Sequence, residues 1–250
     1  MKQDRNFDDL AKKFDANIYG TSKGQLRHEL LLHHLKEHVL NHAQDLHVLD
    51  AGGGTGEMTR SLSELGHCVT LNDLSADSLS LAKEKCKDFP RTRYLNGAIA
   101  DIPEVPFDLV VCHAVLEWVS DPSALINDLI ARVKPNGYLS LSFYNYDAQV
   151  FGNLLYGNFE FVASGMKRRN QVRLTPHSPA KPKDILNYFD SLPVEVIHKA
   201  GIRCIHDYLK DNQMATSKYD ELYEMEVQFG SQEPYMWLGK YFHVIVKATA

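Results

Sequence analysis

The chain has 250 residues, of which 44% are hydrophobic and 24% charged, and its formal net charge is −5. These values are ordinary for a soluble globular protein, and the length suits one large domain that can bury a sizeable core. An acidic total charge does not favour nucleic-acid binding over the whole surface, so a local basic patch would have to carry such a function.

No segment has the pattern of a targeting or membrane sequence. The N-terminal stretch is polar and lacks the apolar run of a signal peptide. No apolar run approaches the roughly 18 residues that a membrane span requires. We therefore expect a cytoplasmic protein without a membrane partner.

The cysteines and histidines show no metal-ligand spacing. The four cysteines lie far apart, and Cys68 and Cys112 fall in apolar runs, where a reduced cysteine behaves as a small hydrophobe. Although the chain has 12 histidines, none pairs with a cysteine or histidine at a recognisable spacing. The sequence therefore predicts no metal site.

Strand and helix patterns alternate through the first 145 residues. A helix is predicted over residues 22–42, with Thr21 or Ser22 as its cap. Further helices are predicted at 58–65, 76–87 and 122–134, between strands at 47–51, 69–73, 94–96, 107–112 and 138–144. Five such alternations predict a doubly wound, Rossmann-like α/β sheet.

The alternation stops after Asn145 and returns later. Residues 145–183 show little periodicity, which we interpret as an insertion or lid. Strands are again predicted from 194 and from 241, with a helix at 219–229 between them. These strands would complete a mostly parallel seven-stranded sheet whose last strand is antiparallel. We expect one domain with four parts: a helical cap (1–44), a core (45–145), a basic insertion (145–183) and a C-terminal part (184–250).

A glycine-rich turn follows the first predicted strand. Gly52, Gly54 and Gly56 form the spacing G-x-G-x-G, and Asp50 precedes them within the strand. A turn of this kind lets the backbone approach a ligand and directs helix N-terminal amides towards it. The dinucleotide fingerprint needs G-x-G-x-x-G, but Glu57 occupies its last position. The turn resembles the first motif of class I methyltransferases, in which it packs against the methionine part of S-adenosylmethionine.

Three more positions follow predicted strands at the same edge of the sheet. Asp73 ends the second strand, where a carboxylate can accept hydrogen bonds from a ribose diol, although such a residue can also cap a helix. Residues 98–100 follow the third strand, where class I methyltransferases contact adenine through the backbone. His113 follows the fourth strand, and it is either a site residue or a partly buried histidine bonded to a loop carbonyl.

Several runs resemble one bacterial family, the tRNA 5-carboxymethoxyuridine methyltransferases, over nearly the whole chain. The most particular are NIYGTSKGQLR from Asn17 and HAVLEWV from His113. Others are LDAGGG from Leu49, DLS from Asp73, GNF from Gly157, GMK from Gly165, HDYL from His206 and QEPY from Gln232. Members of this family methylate the carboxylate of a modified wobble uridine.

The resemblance implies S-adenosylmethionine as cofactor, S-adenosylhomocysteine as product, and no metal. The predicted cofactor-binding residues are Arg27, Asp50, Gly52, Gly53, Gly54, Asp73, Leu74, Ala98, Ile99, Ala100 and His113. A guanidinium such as that of Arg27 can clamp the methionine carboxylate through two hydrogen bonds. A carboxylate acceptor is already ionised at pH 7, so we predict no catalytic base.

The predicted partner is a tRNA anticodon stem-loop. Candidates for the acceptor pocket are Tyr19, Tyr144, Asn145, Arg203, His206 and Tyr208. Residues 161–183 contain several basic residues and no acid, and the cluster Lys167, Arg168 and Arg169 is predicted to contact RNA. This cluster is shorter than the lysine-rich run typical of the family. Nearby Tyr156, Phe159 and Phe161 could stack on unpaired bases.

Three other functions are compatible with parts of the sequence. The core motifs alone would also suit a methyltransferase acting on a small molecule. A catalytically silent module that binds S-adenosylmethionine or RNA would keep the same turn. A nicotinamide oxidoreductase fits least well because of the glycine spacing. The sequence does not define an oligomeric state.

Overall fold

The computed structural model describes residues 21–103, 105–166 and 179–249. Its centre is a seven-stranded sheet in the order β3-β2-β1-β4-β5-β7-β6. The strands are β1 (His47–Ala51), β2 (Cys68–Asp73), β3 (Arg93–Asn96), β4 (Phe107–His113), β5 (Val133–Tyr144), β6 (Val194–Ile202) and β7 (Tyr241–Ala248). Neighbours among β1 to β5 are parallel, whereas β7 is antiparallel to both β5 and β6. The predicted doubly wound sheet with an antiparallel last strand is confirmed.

Nine α-helices lie in the described part of the chain. They are α1 (Ser22–His38), α2 (Glu57–Glu64), α3 (Ala76–Lys85), α4 (Pro122–Ile130), α5 (Tyr146–Leu155), α6 (Phe159–Ala163), α7 (Pro182–Phe189), α8 (Met214–Ser217) and α9 (Tyr219–Gly230). Within those described residues, no helix has the length and apolar character needed to cross a bilayer.

The two faces of the sheet bury separate apolar clusters. Alternate residues of β1 point to opposite faces, so Val48 packs in one cluster and Leu49 in the other. Leu26 and Leu35 of α1 are fully buried against the Val48 face. Burial of each such side chain contributes about 1.5–3 kcal/mol. This packing fixes α1 beside the carboxyl edge of the parallel strands.

Helix ends follow capping chemistry. The Thr21 side chain accepts a hydrogen bond from the Gly24 amide and so caps α1, one of the two predicted caps. The helix ends at His38, and a 3₁₀ turn covers Leu40–His42. The predicted helix over 22–42 was therefore too long by that turn. Helix α4 similarly ends at Ile130, because β5 already begins at Val133.

Four helices after Asn145 were not predicted, α5 to α8, and two of them lie wholly within residues 145–183. In α5, Ala148 is the buried residue, whereas Leu154 and Leu155 are exposed. Since an amphipathic helix is recognised by a buried apolar stripe, a helix with so few buried residues leaves little periodicity in the sequence. Helix α6 is short and has no buried residue.

Candidate active site

The glycine turn connects β1 to α2 and lies against the end of β2. The amides of Gly52 and Gly53 both donate to the Asn72 carbonyl, at 2.8 and 3.1 Å. Gly52 has a φ of +68°, and a Cβ at this position would lie 2.5 Å from Cγ2 of Val115. Gly54 also has a left-handed backbone, with a φ of +57°. Residues with a Cβ are strained in this conformation, so the turn depends on glycine.

Asp50 lies beneath the turn and does not line the cavity that the turn faces. Its Oδ2 accepts a hydrogen bond of 2.6 Å from the Thr59 hydroxyl. A Cβ on Gly53 would lie 2.6 Å from the same oxygen, so the carboxylate and the turn are in close contact. Burial raises the pKa of Asp50 to about 6. Asp50 therefore supports the turn from below, away from the cavity wall.

Asp73 lines the cavity, and its carboxylate accepts hydrogen bonds from two backbone amides. Its Oδ2 accepts from the Gly54 amide at 2.9 Å, and its Oδ1 accepts from the Ser75 amide at 2.8 Å. Ser75, not Asp73, is the N-cap of α3, because its hydroxyl accepts from the Ser78 amide. The alternative that Asp73 caps α3 is therefore wrong.

A cavity of ≈ 400 Å³ opens at the carboxyl ends of β1, β2 and β4. This is where open α/β sheets place their ligands. The predicted residues that line it are Arg27, Gly52, Gly53, Gly54, Asp73, Leu74, Ala98, Ile99, Ala100, His113 and Tyr144. Ile99 and Ala100 belong to a 3₁₀ turn at Ile99–Asp101. Positions from six separate parts of the sequence are therefore brought to one cavity.

His113 lies in the cavity wall and is held from behind by Ser140. The His113 Nε2 and Ser140 Oγ atoms lie 2.8 Å apart, in hydrogen-bond contact. Its partner is therefore a hydroxyl of β5 and not the loop carbonyl considered above. Burial, with the nearby charge of Arg27, lowers the pKa of His113 to about 3. The imidazole is neutral at pH 7.

Several lining residues were not predicted. Asn72 donates from Nδ2 to the carbonyls of Leu95 and Gly97, and its buried Oδ1 has no partner among the described residues. Glu117 and Trp118 lie in a 3₁₀ turn and also line the cavity. Both belong to the HAVLEWV run, which was the signal that could have identified them.

Glu117 is a buried carboxyl that faces the cavity. Only 2% of its surface is exposed, and its Oε2 accepts from the Tyr144 amide at 3.4 Å. Burial raises the pKa of Glu117 from 4.5 to about 7, although that hydrogen bond and the charge of Arg27 act in the opposite direction. At neutral pH the cavity wall therefore carries a carboxyl that is only partly ionised.

Cationic and aromatic side chains meet where β5 and β7 reach the cavity. We name Arg27, Tyr144, Arg203, Lys240 and Tyr241 the cationic-aromatic cluster. The guanidinium carbons of Arg27 and Arg203 lie 5.1 and 5.8 Å from the centre of the Tyr241 ring. The Lys240 ammonium lies 5.2 Å from the centre of the Tyr144 ring, and the two tyrosine rings are 5.7 Å apart, edge to face. Tyr241 lines the cavity but was not predicted.

Arg203 lies in this cluster but, like Lys240, does not line the cavity. Its Nε and Nη2 donate to the two carboxylate oxygens of Asp207 at 2.7 and 2.8 Å. Burial alone would raise the pKa of Asp207, but His206 and Arg203 hold it well below its usual range. The backbone amide of His206 donates to Glu226 of α9. These contacts fix the segment that follows β6.

The other acceptor candidates have structural partners. Asn145 is fully buried and caps α5, while its Nδ2 donates to the carbonyls of Trp237 and Gly239. The Tyr208 hydroxyl donates to the Leu238 carbonyl at 2.8 Å. Neither lines the cavity. Tyr19, Lys167, Arg168 and Arg169 lie outside the described residues.

Comparisons with known proteins agree with this geometry. Residues 49–141 match the methyltransferase domain family. The chain is 39% identical over 252 aligned positions to a tRNA 5-carboxymethoxyuridine methyltransferase of Escherichia coli K12, covering 98% of this chain and 97% of the relative. It is 28% identical to a ubiquinone biosynthesis O-methyltransferase of Albidiferax ferrireducens, covering 78% and 79% of the two chains.

A solved structure shares the fold at low sequence identity. It is a magnesium protoporphyrin IX methyltransferase of Synechocystis PCC 6803 with bound S-adenosylhomocysteine. The TM-score is 0.67 at 15% identity, and the match covers 98% of this chain and 96% of that one.

The sheet order, the glycine turn and the cavity at its edge define a class I methyltransferase that depends on S-adenosylmethionine. The 39% identity over nearly the full length of both chains then narrows this class to one family. The chain belongs to the family of tRNA 5-carboxymethoxyuridine methyltransferases.

Proposed function

We propose that this enzyme transfers the methyl group of S-adenosylmethionine to the carboxylate of 5-carboxymethoxyuridine at the wobble position of tRNA. The near full-length similarity to the Escherichia coli relative carries this proposal. The cationic-aromatic cluster beside the cavity supports it, because its cations suit an anionic acceptor. We expect such an enzyme to be located in the cytoplasm.

The cavity residues fit the proposed cofactor. At Gly54 no atom lies within 4 Å of the position that a Cβ would occupy, so the backbone of the turn can contact the methionine part. Asp73 presents a carboxylate suited to a ribose diol. Arg27 would bind the methionine carboxylate, and residues 98–100 would contact adenine through the backbone. When bound, this group supplies an electrophilic methyl on a sulfonium.

The protein would act by positioning the acceptor. A carboxylate with an ordinary pKa near 4 is ionised at pH 7, so no general base has to remove a proton. Neutral His113 adds no positive charge to the cavity wall. Holding nucleophile and methyl in line contributes several kcal/mol, up to about 7–11 in favourable systems. A dry site also favours a reaction in which an anion and a cation neutralise one another.

The cationic-aromatic cluster is the proposed acceptor pocket. Lys240 and Tyr144 lie together at the end of β5, and Tyr144 also lines the cavity. Arg203 is already paired with Asp207. Its charge would therefore orient the acceptor carboxylate without binding it as tightly as a free guanidinium. A carboxylate held strongly by both oxygens would be a weaker nucleophile. We therefore assign one acceptor oxygen to Lys240 and leave the other to attack.

An exposed aromatic surface formed by Tyr156, which follows α5, and by residues of α6 is the proposed contact for unpaired bases. Tyr156 is 79% exposed and Phe159 is 64% exposed, whereas Phe161 is only partly exposed. Stacking on exposed rings contributes about 1–3 kcal/mol per base. This surface precedes the basic cluster Lys167 to Arg169, which would contact phosphates as part of the predicted insertion or lid.

The decisive experiment uses labelled S-adenosylmethionine and tRNA carrying 5-carboxymethoxyuridine. We expect one base-labile methyl ester at that nucleoside. Unmodified tRNA from cells that lack the carboxymethoxy group is the matched substrate control. Absence of ester on the carboxymethoxy tRNA, with cofactor binding intact, would remove the proposed substrate.

Surface variants separate an RNA substrate from a small molecule. We expect Tyr156→Ala with Phe159→Ala to raise the KM for tRNA at least tenfold without changing S-adenosylmethionine affinity. Neutralising Lys167, Arg168 and Arg169 together should weaken tRNA binding and reduce the salt dependence of that binding. Val105→Ala, at an exposed apolar position before β4, is the control. An unchanged KM for tRNA in both variants would remove the proposed RNA contacts. A small-molecule acceptor would be favoured if tRNA were not methylated and both variants turned over a small carboxylic acid as the wild type does.

A further inference from the structure

Three histidines distant in sequence converge behind the cavity wall. His34 comes from α1, His198 from β6 and His243 from β7. One ring nitrogen from each lies within 4.8 Å of the others. We propose that His34, His198 and His243 form a binding site for one transition-metal cation of the zinc class.

The distances are close to those of a histidine-liganded metal ion. Nδ1 of His34 and Nδ1 of His243 lie 3.0 Å apart and share a hydrogen bond. Two nitrogens that each lie about 2.0–2.1 Å from a tetrahedral zinc ion are about 3.3 Å apart. Separation of this pair by a few tenths of an ångström, together with rotation of the His198 ring, would complete a three-nitrogen site. The fourth position would take water or hydroxide.

The chemistry of the three rings favours a metal over protons. His34 and His243 are buried, at 3% and 0% exposure, so they are desolvated. Burial is the largest cause that lowers the pKa of all three, and neighbouring histidines, which for His198 are His38 and His33, add to it. A metal binds an imidazole nitrogen that carries no hydrogen, so the hydrogen between the two Nδ1 atoms of His34 and His243 would move to an Nε2 atom when the ion binds.

His198 provides an independent indication of a missing partner. Its Nε2 is buried and has no hydrogen-bond partner among the described residues. A buried polar atom left without a partner is unfavourable, because it has lost its hydrogen bonds to water and gained none in return. A cation between the three rings would satisfy this nitrogen.

The other nitrogen of His243 is held as a metal ligand requires. Its Nε2 lies 2.8 Å from the Ser140 hydroxyl, which lies 2.8 Å from Nε2 of His113. Histidine ligands usually have such a partner on the second nitrogen, which fixes the ring and its tautomer. The proposed site is therefore connected through Ser140 to the wall of the cofactor cavity.

The ligand set selects among metals. Three imidazoles without a carboxylate suit zinc, copper, nickel or cobalt and not magnesium or calcium, which prefer oxygen. An ion at this position would connect α1, which carries Arg27, to β7, which carries Tyr241. Its expected effect is to stabilise the fold around the cavity, because a ligand that binds only the folded state raises its stability.

The test uses the full chain without an affinity tag, treated with chelator and then titrated with Zn²⁺ or Co²⁺. We expect one equivalent of Zn²⁺ to bind and raise the Tm, and Co²⁺ to give the visible absorption of a four-coordinate site with three nitrogen ligands and one oxygen ligand. His198→Gln should weaken Zn²⁺ affinity by about 100-fold and abolish that absorption. Circular dichroism and S-adenosylhomocysteine binding confirm that the variant is folded.

His33→Gln is the matched control, because His33 lies on the same helix next to His34 but outside the proposed ligand set. This variant should bind Zn²⁺ as the wild type does. His34→Gln provides a second loss-of-ligand variant if the first is unstable. The proposal is overturned if the wild type binds less than one equivalent, if no visible absorption develops, or if His33→Gln loses as much affinity as His198→Gln.

Discussion

The buried carboxyl of Glu117 makes the stability of the unliganded enzyme depend on pH. Its pKa is 4.5 in an unperturbed group and about 7 in the folded protein. The folded state therefore binds the proton more tightly, and the resulting stabilisation is fully present below pH 4.5 and lost as the pH rises through 7. A shift of this size corresponds to about 3 kcal/mol in total, of which about 2.5 kcal/mol falls between pH 5 and pH 8.5.

Glu117→Gln should remove this dependence, because the amide keeps the shape but does not ionise. Urea unfolding at pH 5 and at pH 8.5 measures it: relative to wild type, the variant should gain about 2–3 kcal/mol between the two pH values. Glu84→Gln makes the same chemical change on an exposed side chain and should gain none of it. Parallel pH profiles for wild type and Glu117→Gln would refute the reasoning.

The ionisation of Glu117 should also make the affinity for S-adenosylmethionine depend on pH. A cationic ligand in the cavity favours the ionised form of Glu117, so wild-type affinity for S-adenosylmethionine should rise about tenfold from pH 6 to pH 8. Glu117→Gln should show a flat profile over this range. Isothermal calorimetry at the two pH values measures both. A wild-type affinity that does not change would mean that the bound cation does not interact with this carboxyl.

Two substitutions test the turn and the strand end that define the cavity. Gly52→Ala should lower S-adenosylmethionine affinity at least tenfold, because left-handed strain of about 1–2 kcal/mol adds to overlap with Val115. Gly66→Ala has the same type of backbone, with nothing within 4 Å of the added Cβ, so it should lose stability but keep its affinity. Asp73→Asn should lower affinity about tenfold or more, since one amide that it now binds loses its acceptor. Calorimetric titration measures all three, and equal affinities in the two glycine variants or an unchanged Asp73→Asn would contradict these roles.

The fold could be predicted wherever burial leaves a regular pattern. Strands such as β4 are buried on both faces and give continuous apolar runs, so their order along the chain was clear. Helix α5 was missed because Ala148 is its buried residue and its apolar side chains are otherwise exposed or half-exposed. Hydrophobic periodicity arises where a helix packs against a core, and α5 makes little contact with the core.

The site could be predicted where its chemistry is local in sequence. Gly52 directly follows β1 and Asp73 is the last residue of β2, so their positions were determined by the alternation itself. Tyr241 reaches the cavity through the pairing of β7 with β5, which is distant in sequence, and no spacing rule connects it to the glycine turn. Asn145 had the right position after a strand, but its side chain is used to cap a helix and hold two carbonyls.

The antiparallel insertion of β7 between β5 and β6 connects the cavity mouth to the buried histidines. Side chains two residues apart on a strand point to the same face, so Tyr241 and His243 are placed together by one register. Tyr241 pairs with Tyr144, and His243 pairs with Ser142 and bonds to the diagonal neighbour Ser140. A slip of one residue would turn both side chains to the other face. The position of the cationic-aromatic cluster and the support of His113 therefore depend on the same strand pairing.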